Sequence, residues 1–189
     1  MSKTLILIFH PDLAASRANR VLAQAAARVP GVEIVDVAAR CPAGRIDTDV
    51  EVADLLSADR LVLQFPIRWY STPPLMKAWQ DLVLTRMMYI APQTEGVRLA
   101  GVPVMVAATA GNYREAYGPE GVNLFPLAEL LKPLSATANR CGLAWSEPHL
   151  VYEADKVGPE QLAQEGERYA ERLRAWTRQT AGRRLTANA

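Results

Sequence analysis

The chain has 189 residues, of which 50% are hydrophobic and 22% charged, and its formal net charge is +1. That is enough for one domain with a substantial core and too apolar for a disordered segment. No basic run with interleaved aromatics occurs in the body of the chain, which argues against a nucleic-acid partner. No apolar run approaches the roughly 18 residues of a membrane span, and "MSKTLILIFH" lacks the length and cleavage site of a signal peptide. Cys41 and Cys141 lie far apart and form neither a disulfide framework nor a metal pair; they read as free thiols of a cytoplasmic protein.

The chain opens with "KTLILIF" (3–9), a near-continuous aliphatic run of the kind found in a strand covered on both faces. Residues 16–29 carry alanines, Leu22 and Val29 at helical spacing, and Pro30-Gly31 stops them. "VEIVDV" (32–37) is a second strand. A loop with Pro42 and Gly44 precedes a short helix at 49–58. "RLVLQFP" (60–66) is the third strand. A helix over 73–84 follows, with prolines tolerated in its first turn. "VPVMVAAT" (102–109) is the fourth strand. Residues 125–142 read as helical, kinked or split by Pro133. "PHLVYE" (148–153) is the fifth strand, and 158–179 a charged amphipathic closing helix. The domain spans 1–178. Residues 179–189, with Arg183 and Arg184, read as a flexible, solvated tail.

Strands alternating with helices predict a parallel sheet between two helical layers. Five strands favour the flavodoxin-like α/β three-layer sandwich of order 2-1-3-4-5 over the Rossmann order, because no glycine fingerprint follows strand one. In such a sheet, ligands sit at the carboxyl ends of the strands, at the switch between strands one and three. Three loops meet there. "HPDLAASRAN" brings His10 to the rim and caps a helix with Ser16, leaving first-turn amides for an anion, with Arg17 and Asn19 beside them. "PIRWYST" holds Trp69 and Tyr70 between Pro66 and Pro73-Pro74. "TAGNYREAYGPEG" has Gly111 and Asn112 where backbone must approach a ligand, followed by Tyr117. Each has a plain reading: a capped helix, core-filling aromatics, a surface tyrosine. Together they describe a phosphate cradle, a stiff aromatic shelf and a close-approach turn, which fit a flavin nucleotide.

"FHPDLAASRAN" (9–19), "FPIRWYSTPPLMKAWQD" (65–81), "TAGN" (109–112) and "NRCGLAW" (139–145) resemble the flavodoxin-fold NAD(P)H:quinone reductases, which include the DT-diaphorase type and the ancillary flavoproteins of bacterial potassium-efflux systems. The resemblance covers roughly residues 3–178. It implies that His10, Ser16, Arg17, Ala18 and Asn19 contact the flavin phosphate and ribityl chain. It implies that Pro66, Ile67, Arg68, Trp69 and Tyr70 line the ring, and that Thr109, Ala110, Gly111 and Asn112 offer amides to its pyrimidine edge. Tyr117 matches a tyrosine placed near the quinone oxygen and is the implied catalytic residue. The implied cofactor is FMN, with FAD possible, and the implied donor is NADH or NADPH. A quinone or other small aromatic compound would be the acceptor, reached by two-electron, ping-pong transfer. The family is usually dimeric, and the apolar segment "RMMYIAP" (86–92) offers a surface for this. A membrane-transporter partner is the alternative role. A flavodoxin-type electron carrier fits less well, since carriers are strongly acidic and lack the W-Y-S-x-P-P run. The sequence departs from the family at Thr-Ala-Gly-Asn in place of T-T-G-G, at Arg68 where a neutral residue is usual, and in lacking a histidine shortly after Tyr117.

Overall fold

The computed structural model describes residues 2–182. Its strands are β1 (Thr4–Ile8), β2 (Val32–Asp36), β3 (Arg60–Pro66), β4 (Pro103–Thr109), β5 (Ala144–Trp145) and β6 (His149–Val151). The helices are α1 (Ala18–Ala26), α2 (Val37–Arg40), α3 (Thr48–Ser57), α4 (Pro74–Trp79), α5 (Lys132–Arg140) and α6 (Pro159–Gln179). All strand pairs are parallel, and the order is β2-β1-β3-β4-β5 with β6 also on β4. The flavodoxin-like sheet read from the sequence is therefore present. Its fifth strand is split. Trp145 pairs with Val104, His149 pairs with Ala107, and Pro148 stands in the gap. Proline has no N–H for the ladder and belongs at such an edge or break.

Side chains alternate across the sheet, and in β1 both faces are covered. Leu5 and Leu7 enter the core beneath α3, α4 and α5, whereas Ile6 and Ile8 enter the core beneath α1 and α6. That is why the strand is aliphatic after Thr4. α1 and α6 pack closely at Gly166, where an added Cβ would stand 3.0 Å from Val21 Cγ1 and 3.3 Å from Ala25 Cβ. On the other face Glu51 is buried. Its charge is met by Arg40 at 2.6 Å, and it accepts the Trp79 indole N–H at 2.8 Å.

Two helix readings change. The helix expected over 73–84 is regular only to Trp79; wider π-helical turns then carry it through Ile90. Arg86, paired with both Asp49 and Glu95, anchors this extension, and Met87 is fully buried. The segment 86–92 is thus partly core, with only Tyr89 and Ile90 strongly exposed. The helix expected over 125–142 is shorter. A tight turn spans Glu129–Leu131, and α5 begins at Lys132 with Pro133 in its first turn. The ring would clash inside a longer helix, and its missing N–H costs nothing at the start. At the far end α6 runs through Gln179. Thr180 is buried and accepts from Arg60 Nε at 2.6 Å, so ordered contacts reach past residue 178. Arg183, Arg184 and the rest of the expected tail lie outside the described residues.

Candidate functional site

The carboxyl ends of β1, β3 and β4 present the three loops on one rim, as the topology requires. They are joined underneath by buried polar side chains. Asn19 Nδ2 donates to Thr109 Oγ1 at 3.0 Å. Gln64 Nε2 donates to the Asn19 carbonyl at 2.9 Å. Gln64 is 0% exposed, and among the described residues its Oε1 has no partner. An orphaned acceptor of this kind is costly to bury and fits a site that supplies the missing donor. Sequence reasoning passed over Gln64. Its signal was a polar residue inside the aliphatic run "RLVLQFP", next to the switch point.

In the first loop the Asp12 amide donates to His10 Nδ1 at 3.1 Å, which puts the proton of the neutral ring on Nε2. Burial and the nearby Arg68 guanidinium lower the His10 pKa, outweighing Asp12 and Asp36. A neutral imidazole offering one N–H therefore faces the rim. Ser16 Oγ accepts from the Asn19 amide at 3.2 Å, the capping bond the sequence implies, although α1 begins formally at Ala18. The first turn of α1 has no acidic residue, so its outward amides and dipole are open to an anion. Ala18 and Asn19 are buried, Asn19 as the strut between loops. Arg17 turns elsewhere: its guanidinium donates to the carbonyls of Asp155 and Val157, both at 2.6 Å, clamping the loop after β6.

In the second loop Pro66 stands opposite Thr109, and the Ile67 amide donates to the Thr109 carbonyl at 2.8 Å. The chain then closes a tight hairpin. Arg68 and Ser71 exchange both backbone hydrogen bonds, at 2.9 and 3.0 Å, with Trp69 at φ 45° and Tyr70 at φ 63° between them. Two positive φ values are the signature of a type I′ turn, where Asn-Gly is the favoured pair. Two aromatics there cost about 1–2 kcal/mol each. Trp69 is 92% exposed, so no burial within this chain offsets that cost. Core filling is excluded for Trp69, and strain at a rim is the mark of a functional constraint.

The third loop is tied back by its carbonyls. Ala110 O accepts from the Ala154 amide and Asn112 O from the Glu153 amide, each at 3.0 Å. The Ala110 amide, expected at the ring edge, is instead spent on the Val151 carbonyl at 2.8 Å, and the Asn112 backbone bonds Tyr117, so among the described residues the Gly111 amide is the one left to the rim. An added Cβ on Gly111 would lie 3.3 Å from Asp155 Oδ1, so the carboxylate sits against the turn. Tyr117 follows a tight turn at Arg114–Ala116. Its ring lies 5.7 Å from that of Tyr152, and Arg114 stacks on Tyr152 at 4.4 Å. Burial, then Tyr70 and Tyr152, raise the Tyr117 pKa against the pull of the Asn112 backbone, so the phenol stays protonated. Tyr70 bridges the second and third loops by donating to Asn123 Oδ1 at 3.2 Å.

A cleft of about 580 Å³ opens beside the hairpin, with Phe9, His10, Arg68 and Pro73 among its walls. A cleft of similar size, about 550 Å³, lies between Trp145 and the last turns of α6, at the amino end of the sheet and away from this rim.

These features fit a nucleotide with a flat ring: helix amides without acids for the phosphate, a strained aromatic hairpin for the ring, and the Gly111 amide for its polar edge. The flavodoxin-like fold family matches residues 2–177. The chain belongs to that family. It is 34% identical over 171 residues to the uncharacterized NAD(P)H oxidoreductase YdeQ of Bacillus subtilis, covering 90% of this chain and 86% of that protein. It is 38% identical over 168 residues to the glutathione-regulated potassium-efflux system ancillary protein KefG of Cronobacter sakazakii, covering 89% and 90%. The flavodoxin-like structure of general stress protein 14 from Treponema denticola, in complex with FMN, superposes with a TM-score of 0.80 at 30% identity, covering 94% of this chain and 99% of that one.

Proposed function

We propose that the protein is an FMN-dependent NAD(P)H oxidoreductase that reduces a quinone or similar flat acceptor. The observation that carries this is the Trp69-Tyr70 hairpin, strained and exposed between the α1 N-terminus and the Gly111-Asn112 turn. The FMN-bound and NAD(P)H-oxidoreductase relatives support it. FMN bound there would supply the redox chemistry, namely hydride acceptance from the nicotinamide and two-electron delivery to the acceptor.

The chain's own groups bind, orient and hold protons. The α1 amides, with Ser16, hold the phosphate end. Ile67, Trp69 and Tyr70 form the shelf. Gly111 directs its amide at the edge of the ring that gains negative charge, in the manner of an oxyanion hole. Tyr117, held protonated, donates a hydrogen bond to the acceptor oxygen. One open face above the shelf serves donor and acceptor in turn, so the kinetics are ping-pong.

The test is direct. Purified protein carries FMN at one per chain and oxidises NAD(P)H with a quinone, giving parallel double-reciprocal lines. Intersecting lines would sink the shared face, and a colourless protein that fails to take up FMN would sink the whole reading.

The KefG relative favours a second reading, in which the same site belongs to an ancillary subunit of an efflux transporter. The exposed Tyr89, Ile90 and Val97 offer an apolar surface for that partner or for a second copy of the chain. Light scattering and a pull-down with the transporter separate the two.

A further inference from the structure

We propose that the cleft beside the hairpin is the adenosine 2′-phosphate subsite of the donor, with Arg68 as the selecting residue, so that the enzyme prefers NADPH to NADH. The inference rests on the oxidoreductase reading and deepens it.

The geometry of Arg68 carries the argument. Its backbone is fixed by two hydrogen bonds to Ser71, so the side chain leaves the hairpin from a rigid base. Among the described residues its guanidinium has neither a carboxylate within ion-pair distance nor a hydrogen-bond partner. Four other arginines show the contrast: Arg17 clamps two carbonyls, Arg40 and Arg86 each pair with two acids, and Arg168 pairs with Glu165. Arg68 instead shares the rim of an approximately 580 Å³ cleft with His10, and the volume lies within the range of small-molecule sites. His10 adds the Nε2–H donor left by the Asp12 bond to Nδ1. A guanidinium beside a neutral N–H donor suits a phosphate monoester, which accepts a bidentate pair and one further bond.

The remaining walls include Phe9, Pro11, Pro73, Pro74 and Leu75. The prolines have no N–H to offer. These are rigid, apolar surfaces suited to the face of a flat heterocycle rather than to a hydrated sugar or peptide. The cleft adjoins the hairpin through Arg68, the residue before Trp69. A ligand with its ring over Trp69 and Tyr70 and an adenosine end marked by a phosphate meets both parts.

The experiment uses FMN-loaded protein. Calorimetry with adenosine 2′,5′-bisphosphate against adenosine 5′-monophosphate needs no turnover. The bisphosphate is expected to bind at least tenfold more tightly, with the advantage shrinking as salt rises. In Arg68→Gln the advantage collapses to about one, and in Arg68→Lys part of it survives. The ratio of kcat/KM for NADPH to that for NADH falls in step. FMN content and circular dichroism certify that each variant is folded. Equal binding of the two nucleotides by the wild type, or an unchanged ratio in Arg68→Gln, overturns the inference. So does loss of rate with a carboxylated quinone but not a neutral one at a constant donor ratio, which would assign the cation to the acceptor. Failure to retain FMN, or to oxidise either nicotinamide, refutes the oxidoreductase reading itself and is seen before any ratio is measured.

Discussion

Asn19 and Thr109, 90 residues apart in the chain, are joined by a buried side-chain hydrogen bond of 3.0 Å. This bond ties the start of α1 to the turn after β4, so the proposed phosphate end and ring edge of the site move as one unit. Thr109→Val keeps the shape and removes the acceptor; Asn19→Ala removes the donor. Each is expected to cost about 1–2 kcal/mol of stability and to weaken FMN binding. The double variant should cost less than the sum, because both changes break the same bond. Urea unfolding of the four proteins, with FMN titration beside it, checks this; strict additivity would show that the bond does not couple the loops.

The hairpin makes the opposite prediction for stability. Replacing Trp69-Tyr70 by Asn-Gly restores the residues a type I′ turn prefers. The strain relieved is about 1–2 kcal/mol per residue. The loss of the Tyr70–Asn123 bond offsets about 1 kcal/mol of it. The variant is expected to gain about 2 kcal/mol, or roughly 4–8 °C in Tm, while FMN affinity falls more than tenfold. A variant that loses stability, or that keeps FMN at full strength, refutes the view that the hairpin trades stability for a shelf.

The sheet and its order were legible because they rest on pattern: "TLILI" and "RLVLQFP" are aliphatic on both faces apart from Thr4, Arg60 and Gln64, and parallel strands buried on both sides need few polar positions. The loops were legible as chemistry through the residues that do not suit a connection, Trp69 and Tyr70 above all. Side-chain direction was not legible. Arg17, adjacent to the cap, reads as a phosphate ligand, yet it clamps the Asp155 and Val157 carbonyls. Asn19 reads as a ligand contact and is placed as a strut. Both depend on distant partners invisible to local spacing: the loop after β6 for Arg17, 138 or more residues away, and Thr109 at the end of β4 for Asn19. Gln64 was hidden for the same reason: its partner is a backbone carbonyl on another element.

Tyr117 carries a prediction about protonation. Its pKa is raised above the ordinary 10.0 by burial and by its tyrosine neighbours. The hydroxyl is therefore a donor at every pH below about 10, and no loss of rate in the neutral or mildly basic range should trace to it. Tyr117→Phe is expected to lower kcat by about tenfold, the equivalent of one hydrogen bond at about 1.4 kcal/mol, with FMN affinity unchanged. The pH profile should keep its shape. A variant with wild-type kcat would remove Tyr117 from the proposed mechanism.

Glu165 gives the fold an acid limit. His149 Nε2 lies 3.2 Å from its carboxylate, and Arg168 pairs with its other oxygen. His149 foremost, then Arg168, hold the Glu165 pKa below the ordinary 4.5, against the effect of burial. A carboxylate with a depressed folded-state pKa binds fewer protons folded than unfolded. Its contribution is fully present above pH 4.5 and is lost as pH falls through the lower, folded value. Glu165→Gln should therefore cost about 1–2 kcal/mol at pH 7. The cost should shrink toward zero as the pH drops below 4, where the wild type loses the same charge. A set of urea unfolding curves from pH 3 to 7 tests the sign; a cost that stays constant across that range would mean that the side chain acts through packing and not through its charge.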